Sequence, residues 1–216
     1  MTEDGDTDEL ISRLARDLKP VRVLPRLRWV AAGLFALAAV AVGMAVLWLG
    51  PRPDLAAWAG SRPGLSLLTG TLGVALGSTL IGLGLSVPGR DDLKRAGSWL
   101  AGLAGVALLL GLLPAASAGP AMAWNELRPC AVRAAAIGLL PALAAVWFVS
   151  HAYPQRPGLA FALGAAGMGA AAAVGVHLVC SASAGAHIAA GHLLLPCLAL
   201  AGLALIFQRF GSTVTR

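Results

Sequence analysis

The run WVAAGLFALAAVAVGMAVLWLG, residues 29–50, holds no charged side chain and no proline. Wound as an α-helix at 1.5 Å per residue it is about 33 Å long, enough to cross a lipid hydrocarbon core of about 30 Å. Lipid offers no partner to a backbone N–H or C=O, so a helix, which bonds these groups internally, is the form such a run takes there. Five further apolar runs follow, at 64–87, 96–118, 131–149, 157–180 and 186–210, and the segments between them are too short to fold alone. The expected architecture is all-α: a polytopic membrane protein with a six-transmembrane-helix bundle over 29–210, an arm at 1–28 and a tail at 211–216.

Composition agrees with that reading. Of 216 residues, 58% are hydrophobic and 12% charged, and the mean hydropathy is +0.79. A water-soluble chain could not cover its surface with so few charges. The formal charge of +6 does not describe a nucleic-acid patch, because the basic residues sit at span ends and in short loops. Twelve of the 16 Lys and Arg fall on one side of the spans, and only Arg52, Arg62, Arg128 and Arg133 on the other. By the positive-inside rule both termini are expected in the cytoplasm, with the loops near Asp54, Glu126 and Ser183 outside.

The arm carries the only polar segment long enough for a soluble helix. Leu10, Ile11, Leu14 and Leu18 recur there every three or four residues, opposite Glu9, Ser12, Arg13, Arg16 and Asp17. Asp8 suits the cap of such a helix and Pro20 should stop it. A helix of about a dozen residues is marginal alone in water, so its apolar stripe calls for a surface, either lipid headgroups or another protein. The acidic side chains Glu3, Asp4, Asp6, Asp8, Glu9 and Asp17 would be repelled by an anionic leaflet. A cytosolic partner with a basic, partly apolar groove, as a DNA-binding transcription factor has, suits them better.

Inside the spans, Gly73 and Gly77 form a G-x-x-x-G, and Gly164, Gly167, Gly169 and Gly175 punctuate the fifth run, a pattern that reads as close helix packing. Pro141 suggests a kink in the fourth. The cysteines Cys130, Cys180 and Cys197 form no C-x-x-C, so neither a zinc ribbon nor a dithiol redox motif is present. Topology puts Cys130 at the start of the fourth span and Cys180 at the end of the fifth, on one side. There they can either pair in an oxidising compartment or serve as small packing groups.

His177 lies three residues before Cys180 on the same helical face, and His187 follows across a short loop, which brings a Cys/His metal cluster within consideration. His187 and His192, the other metal candidates, are five residues apart, about 140° around an α-helix, and are not expected to face one ion. Cys197, beside Pro196, sits deeper and reads as packing. Arg128 and Arg133 flank Cys130, where they either favour its thiolate or snorkel toward lipid phosphates.

Several of these features occur in one order: the arm from Leu10-Ile11 through Asp17-Leu18-Lys19-Pro20-Val21, Arg128-Pro129-Cys130, Leu140-Pro141, and His177 with Cys180. That order resembles the NrsF-like multi-pass anti-sigma factors, which hold an extracytoplasmic-function sigma factor at the bacterial inner membrane. The resemblance implies six spans, a short cytosolic N-terminus that sequesters the sigma factor, and two outward-facing cysteines that take part in stress sensing. Cys130 and Cys180 match those two positions, with His177 beside them, and Leu10, Ile11, Leu14, Leu18 and Val21 would contact the partner. The chain departs from the pattern in two places. Leu178 and Val179 separate His177 from Cys180, and Ser181–Gly185 replaces an acidic, aromatic stretch.

The alternative function is a small six-span permease or metal-ion transporter, against which stands the near-absence of acidic residues from the spans. With no G-x-S-G for a rhomboid-like protease and no C-x-x-C for a disulfide oxidoreductase, no enzyme is expected. The expected partners are the sigma factor and the bilayer, with no direct nucleic-acid contact and no cofactor, a metal ion entering only as a stimulus.

Overall fold

A computed structural model describes residues 3–17, 24–116, 124–182 and 184–211. The elements among them are α1 (Glu3–Asp17), α2 (Leu27–Leu49), α3 (Leu55–Gly60), α4 (Arg62–Ser86), α5 (Asp91–Ala116), α6 (Trp124–His151), α7 (Pro157–Val179), α8 (Gly185–His187), a π-wound segment (Ile188–Leu194) and α9 (Leu195–Gly211). Six helices are long and apolar enough to cross a membrane: α2, α4, α5, α6, α7 and the composite helix Gly185–Phe210. Of the arm residues singled out above, Leu10, Ile11 and Leu14 lie on α1, whereas Leu18 and Val21 fall outside the described residues, as does the tail beyond Gly211.

Glycine and alanine decide how the spans pack. On the α4–α5 interface a Cβ at Gly70 would stand 2.6 Å from the backbone N of Leu108, and one at Gly77 would stand 2.7 Å from that of Ala101. Gly73 is pressed against Ala104 in the same way. The partner number climbs as the α4 number falls, so the two helices are antiparallel, and only hydrogen atoms at these positions let the backbones approach so closely. The expected G-x-x-x-G is therefore the α4–α5 seam. The same device joins α4 to α7, where Gly82 lies against the backbone of Gly164 and Gly167 against Thr79.

The glycines of α7 face several neighbours: Gly167 faces α4, Gly169 faces Cys197 of α9, and Gly175 faces Val42 of α2 and Ile137 of α6. Helix α7 is thus the axis of the bundle and the most buried span, while α2 and α5 are the least buried. Their outward faces are apolar, with Trp48 88% exposed and Leu47 82%. In water such faces would be costly, and lipid is the solvent that accepts them. Exposed tryptophans sit near both ends of the bundle, Trp29, Trp99 and Trp147 at one and Trp48 and Trp124 at the other, as interfacial anchors do.

The helices run past some of the expected bounds. Helix α5 begins at Asp91 rather than near 96, because Asp91 and Asp92 in its first turn suit the helix dipole and pair with Lys94 and Arg90 at 2.5 and 2.9 Å. Helix α6 begins at Trp124 rather than 131, so Arg128-Pro129-Cys130 lies within a helix that continues through both Pro129 and Pro141. The turn between α4 and α5 is made at Gly89, whose φ of 80° disfavours any side chain.

Candidate functional site

The end of the bundle where α2, α5 and α7 finish and α6 and α8 begin is called the distal end here. A short structured link, α3, covers part of it. Ser61 ends α3 and starts α4 at once: its hydroxyl donates to Trp58 O at 2.6 Å and accepts from Gly64 N at 3.1 Å. This double cap fixes Trp58 against the ring of His177, at 6.2 Å between centroids. Arg52 lies over the Trp58 ring, its guanidinium carbon 4.5 Å from the centroid, and its backbone N–H donates to Leu178 O at 2.9 Å.

Arg52 is only 4% exposed, although its charge alone marks it as a topology signal. Its guanidinium makes a two-pronged bond to Asp54, at 2.7 and 2.9 Å, which holds the Asp54 carboxyl below its ordinary value of 3.8.

Beneath this cover, α6, α7 and the composite helix Gly185–Phe210 bring together two thiols and three imidazoles. Cys130, buried near the start of α6, stands with its Sγ 3.4 Å from that of Cys180, the residue that ends α7. Both thiols are free. His187 Nε2 lies 3.7 Å from Cys180 Sγ. His192, 1% exposed, spends its Nδ1 on His177 Nδ1 at 3.0 Å, and His177 Nε2 in turn meets Thr71 Oγ1 at 3.3 Å. Taking one ligating atom from each, Cys130, Cys180, His187 and His192 all fall within 4.8 Å of one another. His177 bonds to His192 and Thr71, one step behind that group.

The expectation that His187 and His192 diverge is corrected. Their rings meet edge-on at 5.0 Å between centroids. The 140° separation assumes α winding, whereas Ile188–Leu194 is π-wound, with Leu195 N–H bonding to Ala190 O five residues back, and the wider turn brings residues five apart onto one face. The local cause is legible: Pro196 has no N–H to give, and its ring would crowd the carbonyl of His192 four residues earlier. Gly191 faces α6, where a Cβ would meet Leu127 O at 3.4 Å and Cys130 Cβ at 3.8 Å, ordinary contact distances.

The remaining sequence candidates fall outside the cluster. Cys197 donates to Ala166 O at 3.5 Å and packs against Gly169, as a packing residue should. Arg128 and Arg133 are exposed and line an open groove with Asn125, Pro129 and Val132. Thr71, Trp58 and Arg52 were not singled out beforehand as site residues. The signal for Thr71 is its position on α4 opposite the His177 end of α7, which follows only once the α4–α7 register is known.

Six apolar spans, the glycine-rich α7 the most buried among them, with a buried thiol–imidazole cluster at one end, define a polytopic helical membrane protein. The NrsF family profile, described as negative regulator of sigma F, matches residues 14–210, and the chain belongs to that family. The match begins within α1 at Leu14 and covers every span. No curated protein and no solved structure matches the chain. The family is one of regulators whose partner is a sigma factor, which fits a binding protein rather than an enzyme.

Proposed function

We propose that this chain is an anti-sigma factor that holds a sigma factor of the extracytoplasmic-function type at the bacterial inner membrane through α1, and releases it when the Cys130–Cys180 site changes state. The observation that carries the reading is the pair Ile11 and Leu14, 58% and 60% exposed on a helix that joins a membrane-held bundle belonging to a family of sigma-factor regulators. Two large apolar side chains in water invite a partner, and the acidic residues around them suit one with a basic groove. In this reading both termini are cytoplasmic, as the Lys and Arg distribution favours, and the thiol site faces outward as the point where an envelope, redox or metal signal enters. Signalling then needs two packings of the bundle that differ by a few kcal/mol, one favoured by the altered site.

The test is the double substitution Ile11→Asp and Leu14→Asp. Sigma-dependent transcription rises and the sigma factor leaves the membrane fraction, while the protein itself stays there. A reporter that remains repressed with the variant still in the membrane overturns the role given to α1.

The polar groups of α4 weigh against the permease alternative. Thr79 and Ser86 are fully buried, and their hydroxyls donate to Ala75 O and Gly82 O of their own helix at 2.8 and 2.7 Å. Both are bonded to their own helix, and Thr79 packs against Gly167 of α7, so neither lines a polar route.

A further inference from the structure

We propose that Cys130 Sγ, Cys180 Sγ, His187 Nε2 and His192 Nε2 form a four-coordinate site for a divalent d10 cation of the zinc class, with His177 and Thr71 as positioning residues that aim His192. The biological role of such a site rests on the reading above, whereas its existence does not.

Three observations carry it. The first is the donor set: two thiols and two imidazoles supply the soft and borderline ligands that zinc-class ions take in closed tetrahedral sites. A tetrahedral shell with bonds of about 2.0–2.3 Å has ligand–ligand edges of about 3.3–3.8 Å. The Cys180–His187 contact at 3.7 Å lies in that range, the sulfur pair at 3.4 Å need open only to the edge of about 3.8 Å that two thiolates span, and all four atoms lie within 4.8 Å. The second is an orphan: His192 Nε2 is buried and has no hydrogen-bond partner among the described residues, a costly state for a polar nitrogen unless something occupies the space before it.

The third is the wiring behind that nitrogen. A neutral imidazole has one N–H and one lone pair. If His177 Nε2 donates to Thr71 Oγ1, then His177 Nδ1 must accept from His192 Nδ1, and the lone pair of His192 is left on Nε2, toward the cluster. Metal-ligating histidines are held by such second partners on the opposite nitrogen.

Charge selects the ion. Two thiolates and a divalent cation sum to zero, which an apolar bundle tolerates, whereas a monovalent ion would leave a buried negative charge. Binding is therefore written as one M2+ replacing the two thiol protons, with two S–M bonds formed, both protons passing to solvent and no electron transferred.

Full-length protein purified in detergent, kept reduced and stripped with a chelator, is titrated with Co2+ as a visible reporter of tetrahedral thiolate coordination and then with Zn2+. The expected result is one ion per chain, thiolate–cobalt absorption displaced by zinc, and two protons released per ion. Cys197→Ser behaves like the parent, whereas Cys180→Ser and His192→Gln lose the absorption. Thr71→Val keeps the stoichiometry but weakens zinc binding about 10- to 100-fold, and Thr71→Ser restores it. Absence of bound ion in the parent, or equal binding by Cys180→Ser, overturns the site. Should the ion bind as described while sigma-dependent transcription ignores the Cys180→Ser change, the site stands and the input role assigned to it falls.

Discussion

His177 and His192, on different helices and 15 residues apart, are joined Nδ1 to Nδ1 at 3.0 Å with ring centroids 4.9 Å apart. That bond ties the last turn of the bundle's axial helix to the only π-wound segment among the described residues. Anything that alters the thiol cluster therefore acts on α7 through one hydrogen bond as well as through Cys180 itself.

The π winding is testable at Pro196. Pro196→Ala returns the missing N–H and removes the ring that crowds the His192 carbonyl, so the segment reverts to α winding, which sets His187 and His192 about 140° apart. The expected outcome is a stable six-span protein that has lost the Co2+ absorption. Retention of that absorption would show that the two rings meet without the π turn.

The thiol pair makes a second prediction. A peroxide, reduced to two waters, takes two electrons and two protons from Cys130 and Cys180 and leaves one intramolecular disulfide. Their sulfurs are 3.4 Å apart, so the bond requires only a small closing movement. Counting alkylatable thiols before and after should show a fall from three to one, with the survivor mapped to Cys197 by mass spectrometry.

Packing at the α4–α7 seam sets a third. A side chain at Gly82 meets the backbone of Gly164, where neither helix can yield locally, so Gly82→Val should cost on the order of 1–3 kcal/mol, read as a lowered unfolding temperature in detergent. Gly43, which has nothing within 4 Å of its missing Cβ, is the control: Gly43→Ala should be neutral or slightly stabilising.

Acid should open the distal cover only at the extreme. Asp54 is held below its ordinary value by Arg52, and a lowered carboxyl value means that the contact is intact above 3.8 and is lost as pH falls through the depressed value. Hydrogen exchange at the Arg52 amide, bonded to Leu178 O, should be unchanged from pH 7 to 5, after correction for intrinsic exchange, and rise below the ordinary carboxyl value. Asp54→Asn should produce the faster exchange at neutral pH.

Hydropathy reveals the six spans because lipid imposes one requirement along each of them, but it says less about where the helices end. The first turns of α5 and the start of α6 were hidden because charged residues near helix ends lower hydropathy while favouring the helix itself. That Cys130 and Cys180 lie on one side of the membrane was legible from topology, whereas their 3.4 Å approach depends on how α6 packs against α7. The histidine cluster was not: it depends on the π winding before Pro196, and a periodicity argument assumes the winding in advance. Arg52 was read as a topology charge because nothing local reveals that Trp58 and Asp54 will enclose it.

Helix α7 meets α4 through close glycine backbone and through the Thr79 side chain seated at Gly167, and it is stapled to its surroundings near both ends, by Arg52 N–H to Leu178 O and by Gln155 N–H to Leu85 O. The seated side chain and the two ties oppose slipping along the axis as well as turning about it. Helices α4 and α7 therefore behave as one rigid pair, and whatever shifts one of them carries the other along.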